Sequence, residues 1–161
     1  MPSRDFHSDQ AIVLEGVRKE VIEVVKNDGD MLRFADEKLK ADYEIALAAV
    51  KSTGHALTYV DEKLKSDREV VLEAVKENGN ALQFANENLK IDQEIVLEAI
   101  RQDPYSLKFA GEKSKLNRKI VLEAIRQDPY SLQYAGEKLK SDREIVMTAV
   151  KENGWVIEYA N

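Results

Sequence analysis

Few residues in this chain could do chemistry at neutral pH. There are two histidines, His7 and His55, and neither lies in an HExxH run or another spacing that sets two metal ligands on one helix face. Cysteine is absent, which removes thiolate metal sites, disulfides and cysteine nucleophiles together. Carboxylates are plentiful but recur at fixed intervals: Glu73, Glu98 and Glu123 in one set, and Glu37, Glu62, Glu87, Glu112 and Glu137 in another. Paired acid–base carboxylates need unequal environments that push their pKa values apart, and a periodic row offers equal ones. No catalytic, cofactor-binding or metal-ligating residue is expected, no cofactor is implied, and the chain reads as a non-enzyme.

The cations are periodic too. Lys51, Lys76, Arg101, Arg126 and Lys151 share one spacing, and Lys40, Lys65, Lys90, Lys115 and Lys140 share another. Two such stripes could follow a phosphate chain. However, Glu73, Glu98 and Glu123 precede Lys76, Arg101 and Arg126 by three residues, close enough on a helix to pair with them. The net charge of −6 also opposes a general polyanion binder. A nucleic-acid-binding array is therefore the second reading, behind protein binding.

More is learned where the rows disagree. One position runs Asp30, His55, Asn80, Tyr105, Tyr130, Trp155, and the position three residues on runs Arg33, Thr58, Gln83, Lys108, Gln133, Glu158. A packing position should hold one residue type throughout, whereas Tyr and Trp at a surface supply contact area at small entropic cost. His55, Tyr105, Lys108, Tyr130, Gln133 and Trp155 are accordingly the candidate contacts for a protein or peptide partner. The alternative is that these positions are ordinary exposed ones, or that the aromatics cover the stems of their neighbours.

The element that carries these rows is a repeat. VLEAIRQDPYSLKFAGEK at 96–113 returns as VLEAIRQDPYSLQYAGEK at 121–138, a period of 25. The units are 41–65, 66–90, 91–115, 116–140 and a shortened 141–161, preceded by 8–40. In that first unit the opening SDQAIVLEGV comes about eight residues early, so Asp9 to Asn27 is expected as one lengthened helix, behind a disordered segment 1–7. Asp42, Asp67, Asp92, Asn117 and Asp142 are N-cap types. The apolar set Val70, Val71, Leu72, Ala74 and Val75 covers about 200° of a helical wheel, too much for one buried face. Such a helix must be sandwiched between neighbours.

Pro104 and Pro129 stand where other units have Gly29, Gly54, Gly79 and Gly154. Proline cannot adopt positive φ, so this position is expected to begin a second helix rather than to stop the first in a left-handed turn. Asp28, Thr53, Asn78, Asp103, Asp128 and Asn153 precede it and suit an N-cap. The second helix should be short, as over Gly79 to Asn86, and should turn Leu82, Phe84 and Ala85 inward, with Leu89 packing beneath its exit. One unit is too small to bury its own core, so the units must stack. The expected fold is all-α: an α-solenoid of about six helix-turn-short-helix repeats in a single domain over 8–161, roughly 50–60 Å long at ordinary helix spacing.

The resulting pattern, D-x-E-[IV]-[VA]-L-x-A-[VI]-[KR]-x-[ND]-[GP]-x-x-L-x-[FY]-A-x-E-x-L-K, resembles the short bacterial, protist and viral repeats known as domain of unknown function 4116. The resemblance runs from about Ser8 to Asn161. It implies α-helical tandem repeats in intracellular proteins and no established activity. Departures are the long first helix, Lys119 in place of Glu, and Ser114 in place of Leu; the last is expected to weaken a contact between units.

No apolar run approaches the ~20 residues of a membrane span, and Met1 to Gln10 lacks the apolar core of a secretion signal. An intracellular, cytoplasmic setting is expected, with non-classical secretion left open. Trp155, Val156 and Ile157 make the last short helix more apolar than its equivalents. Self-association through the C-terminal repeat is one consequence to test, because terminal repeats usually turn a polar face outward. The function expected is a non-catalytic interaction or scaffold module. A structural spacer within a longer protein is a further alternative.

Overall fold

Five of the long helices start where an Asx side chain stands in for the missing turn of backbone. Asp67 accepts from the N–H groups of Glu69 and Val70 at 2.9 and 3.1 Å, and Asp42, Asp92, Asn117 and Asp142 do the same for their helices. The computed structural model describes residues 6–161, with side chains from Leu14 onward. Its long helices are α1 (Phe6–Asn27), α2 (Tyr43–Ser52), α3 (Arg68–Glu77), α4 (Gln93–Gln102), α5 (Arg118–Gln127) and α6 (Arg143–Glu152). Helix α1 begins three residues before the expected Asp9. Residues 1–5 lie outside the described residues, as does the side chain of His7.

One residue both ends each long helix and opens the next element. Asp103, in extended backbone (φ −152°, ψ 112°), donates its N–H to Ala99 O at 2.9 Å, while its carboxylate accepts from Tyr105 N–H at 2.9 Å. The second element of each unit is a 3₁₀-helix rather than a short α-helix: η1 (Gly29–Phe34), η2 (Gly54–Tyr59), η3 (Gly79–Phe84), η4 (Pro104–Phe109), η5 (Pro129–Tyr134) and η6 (Gly154–Tyr159). Six residues is long for this conformation. Its three-residue period eclipses positions i and i+3, which lines Gly79, Leu82 and Ala85 along one buried edge. A further turn closes the unit, as at Glu37–Lys40, Leu64–Ser66, Glu112–Lys115 and Glu137–Lys140.

The long helices stack as one layer and the 3₁₀-helices as a second. A backbone ladder sets the register between units. The N–H groups of Asp61, Asn86, Gly111, Gly136 and Asn161 donate to the carbonyls of Lys40, Lys65, Lys90, Lys115 and Lys140 at 3.1, 2.9, 2.8, 2.9 and 3.1 Å. Where large residues lie beside this ladder, the donor has become glycine. A Cβ on Gly111 would come within 2.6 Å of Ile91 Cγ2, and one on Gly136 within 2.6 Å of Leu116 Cδ2. The ladder positions Asp61, Asn86 and Asn161 instead accompany small residues: Ala41, Ser66 and Ser141.

Val70, Val71, Ala74 and Val75 are fully buried, as the wide apolar arc requires, but Leu72 is only half-buried and faces outward. No glycine or other described residue has positive φ. The glycine at the start of the 3₁₀-helix is instead required by close approach. A Cβ on Gly29, Gly54 or Gly79 would sit against the carbonyl oxygen of Ala49, Ala74 or Ala99 in the next unit. In the units with Pro104 and Pro129, which carry that Cβ, α4, α5 and α6 pack less closely than α2, α3 and α4 do.

The structure corrects two expectations. Among the described side chains, the unit expected over 8–40 joins the stack from Arg18: Val21, Ile22 and Val25 pack against the core, while Leu14 and Val17 are exposed. Residues 18–27 are thus the equivalents of 68–77. Ser114 does not simply weaken its junction. It is buried, and its hydroxyl donates at 3.2 Å to Lys90 O, the same carbonyl that accepts from Gly111. Among the described residues no helix is long and apolar enough to cross a membrane.

Candidate functional site

A first set of polar side chains ties the starts of the long helices together. Arg18 reaches Asp42 at 2.7 Å and Glu44 at 2.6 Å. Arg68 reaches Asp92 at 3.3 Å and also Glu94, and Arg118 reaches Asp142 at 2.7 Å and Glu144 at 2.6 Å. These arginines recur every 50 residues, with Tyr43 and Gln93 between them and Arg143 one unit after the last. The hydrogen bond from Arg18 holds the Asp42 carboxyl below its ordinary range, and for Asp142 the backbone N–H of Ile145 is the larger cause, with Arg118 adding to it. Lys119, which replaces an acid, lies one unit after Gln93, a neutral side chain that needs no anion.

One basic stripe is paired throughout and the other in three of its five members, Arg126 and Lys151 having no ion pair among the described residues. Lys40, Lys65, Lys90, Lys115 and Lys140 bind Glu37, Glu62, Glu87, Glu112 and Glu137 at 3.0, 2.6, 2.8, 3.1 and 3.0 Å. Lys76 binds Glu73 at 2.6 Å, and Arg101 binds Glu98 at 3.0 Å. Lys51 lies 3.7 Å from Glu73 in the next unit. The Lys76 bond lowers the Glu73 pKa, and Glu98 is lowered first by Gln102 and then by Arg101. Among the described residues no group of three or more His, Cys, Asp or Glu is placed to hold a metal ion.

The row of unlike residues has a use between units. Asn80 Nδ2 donates to Asp103 at 2.8 Å, Tyr105 O–H to Asp128 at 2.6 Å, and Asn153 Nδ2 to Tyr130 Oη at 3.2 Å. The rings also meet the aromatic of the following unit edge-on: His55 on Phe84 at 5.2 Å, Tyr105 on Tyr134 at 6.0 Å and Tyr130 on Tyr159 at 6.3 Å. His55 itself is exposed and lies 3.4 Å from Asp30. Tyr105 and Tyr130 are half-buried, so the alternative reading of them, as covers for neighbouring stems, describes their geometry better than free anchors does. The signal for this was in the sequence: each bonding residue has its Asp or Asn partner 23 positions on.

Lys108 lies over the Phe109 ring at 4.6 Å, and Gln133 donates to Tyr130 O at 3.0 Å. These two do share one shallow cleft of about 260 Å³, which Lys115, Lys140, Glu112 and Glu137 also line. Trp155 stands apart from it, 79% exposed.

The bond to Asp128 pushes the Tyr105 phenol up to about 12, with desolvation adding to it. A folded-state pKa above the ordinary value of 10.0 means that this bond's stability is complete below about pH 10 and lost as the pH rises through about 12. Tyr43 and Tyr159 are also raised, by Glu69 and Glu158, so a spectrophotometric titration should show a late phenolic phase from which Tyr105→Phe removes one group. An unchanged profile would contradict the assignment.

One further row was not singled out by the sequence. Ile22, Leu47, Leu72, Leu97 and Leu122 are half-buried, and Met147 is exposed, in a line along the outward side of the long helices. Between α1 and α2, Ile22, Leu47 and Ala48 floor a groove of about 400 Å³ rimmed by Lys26, Lys51 and Glu44. Around Leu122 the groove is about 510 Å³, with Arg118, Lys119, Arg126 and Glu123 at its edges. Nothing in the helix wheel alone separates this row from the core, because both belong to one wide apolar arc.

No curated protein and no solved structure matches the chain. A family model described as a domain of unknown function, DUF4116, matches residues 17–65, 67–115 and 117–161. Each match spans two 25-residue units, the same doubling that Arg18, Arg68 and Arg118 show, and the first begins at the point where α1 joins the stack. With three tandem matches covering nearly all of the stacked helices, the chain belongs to the DUF4116 family.

Proposed function

We propose that this protein is a non-catalytic, intracellular helical-repeat module that binds a protein partner along the outward face of its long helices. The leucine row carries the reading. Ile22, Leu47, Leu72, Leu97 and Leu122 keep apolar surface facing solvent at the same place in successive units. A helical or extended segment laid across them would bury a little surface on each unit, and affinity would accumulate along the rod. The periodic spacing of the carboxylates, as in Glu73, Glu98 and Glu123, supports a non-catalytic role. The pairing of eight of the ten stripe cations speaks against phosphate-backbone binding, which needs cations free to displace counterions.

The test is affinity capture from the native cell with mass spectrometry, comparing the wild-type chain with a Leu72→Asp, Leu97→Asp variant at matched helical circular dichroism. Proteins retained by the wild type at physiological salt and lost from the variant support the reading. An identical protein set, or capture of nucleic acid that falls steeply as salt rises, overturns it.

A further inference from the structure

Two residues after the Asx cap, α2, α3, α4 and α6 carry an acid that serves a joint between units. Glu44 and Glu144 are bound by the arginine of the preceding unit at 2.6 Å each, and Glu94 is bound by Arg68. Glu69 faces the Tyr43 phenol and raises its pKa. In α5 this position is Lys119. The preceding unit presents Gln93 to it, so the joint has no use for a charge, and Lys119 is exposed with no ion pair among the described residues.

Arg126, seven residues on, is in the same state. Its counterparts Lys76 and Arg101 bind Glu73 and Glu98. In α5 the corresponding Glu123 accepts from Gln127 Nε2 at 3.3 Å, and Arg126 is exposed with no ion pair among the described residues. The charge beside the leucine row therefore changes sign along the rod. Leu72 and Leu97 are each flanked by two acids and one cation, at 69, 73 and 76 and at 94, 98 and 101, whereas Leu122 is flanked by Lys119, Arg126 and one acid, Glu123. Helix α1 has the same count as α5, but its Lys19 and Lys26 lie 3.7 and 2.6 Å from Glu15 and Glu23.

The groove at Leu122, about 510 Å³, is larger than those at Leu47 and Leu97, about 400 and 250 Å³. It follows the axis of α5, since residues from Asn117 to Arg126 line it. Lys119 and Arg126 stand about 10 Å apart along that axis, with half-buried Leu122 between them. A helix lying in the groove matches this span with carboxylates at i and i+7 and an apolar side chain at i+3 or i+4. A phosphate chain would fit worse. It would meet Glu123 between the two cations and gain nothing from Leu122.

We propose that the groove on α5 selects the partner, and that it takes an acidic amphipathic helix whose two carboxylates, seven residues apart, bind Lys119 and Arg126 while an apolar side chain between them covers Leu122. This rests on the reading of the leucine row as the binding face, and adds to it the unit that discriminates and the chemistry it uses.

The probe is a fluorescein-labelled, alanine-rich helical peptide of about four turns, long enough to hold a helix in water, with Glu-Ala-Ala-Leu-Leu-Ala-Ala-Glu at its centre. Its control has glutamine for both glutamates. By fluorescence anisotropy at physiological salt the Glu peptide should bind roughly tenfold more tightly than the Gln peptide, the scale of two solvent-edged ion pairs. Lys119→Glu with Arg126→Gln should erase that preference and leave the Gln peptide's affinity unchanged. Lys119→Glu only installs the residue that α2, α3, α4 and α6 already carry, and Glu94 with Glu98 shows that the resulting pair of acids is accepted. Leu122→Gln, at matched helical circular dichroism, should weaken both peptides alike. No binding of either peptide, or a preference that survives in the double variant, overturns the proposal. Equal binding of the two peptides that Leu122→Gln weakens overturns it but leaves the leucine row standing, and binding that Leu122→Gln does not change removes both. A single-stranded oligonucleotide that binds more tightly than the Glu peptide would give the two cations to phosphate and also overturn it.

Discussion

Ile95→Glu should break the rod's unfolding into two transitions and lower its stability by more than about 3 kcal/mol. Ile95 is 0% exposed on the side of α4 that faces α3. The substitution removes a well-packed side chain, worth about 2–5 kcal/mol when truncated, and puts an unpaired carboxylate in its place. Glu20, which holds this position in α1, is exposed, with no described unit packed against it. An internal cap in a linear array removes one nearest-neighbour interface, so the units on either side lose their coupling. Denaturant titration followed by circular dichroism would show the split, and the loss should shrink as the pH falls through the raised pKa of a buried Glu, since its neutral form is cheaper to bury. A single transition displaced by less than about 1 kcal/mol, within the range of ordinary surface substitutions, would mean that the units do not depend on one another.

The same substitution at two equivalent glycines should have opposite effects. Gly79→Ala places a methyl group against the carbonyl oxygen of Ala99 and 2.8 Å from Ser106 Oγ. The next helix must move away, at about 1–3 kcal/mol, the usual range for overpacking. Gly154 has nothing within 4 Å of an added Cβ, so Gly154→Ala should be neutral or stabilising by up to about 1 kcal/mol through reduced freedom of the unfolded chain. Thermal unfolding of the two variants under one set of conditions settles the matter. Equal losses would point to backbone propensity in the 3₁₀-helix and not to the close approach of neighbouring units.

Much of this architecture was legible because it is local. The N-caps, the 25-residue period and the equivalence of Gly79 with Pro104 follow from what each residue can do within a few positions of itself. From that equivalence alone the glycines were read as non-left-handed, and none has positive φ. The choice of 3₁₀ over α for Gly79–Phe84 was not legible. An inward Leu82 and Phe84 suit either period, and the choice is made by two neighbouring layers that must both be filled. The first unit misled for a related reason: SDQAIVLEGV at 8–17 and the run from Arg18 to Asn27 are both acceptable helix openings, and only the bonds from Arg18 to Asp42 and Glu44 decide which one sits in the stack.

The candidate site divides in the same way. Tyr105 and Tyr130 looked free because their row varies, and they vary together with partners 23 residues away, a distance no helical wheel brings into view. Leu72 looked buried because it shares an arc with Val71 and Val75, and it faces outward because each helix is covered on two sides and not on three. The amino-acid sequence by itself therefore determined what a unit is: its helices, its caps, its apolar content and its inability to stand alone. The stacking of the units decided which side chains serve the joints and which are left for a partner. That outcome depends on the rotation and rise from one unit to the next, quantities set by the summed packing of whole surfaces and written in no single stretch of residues.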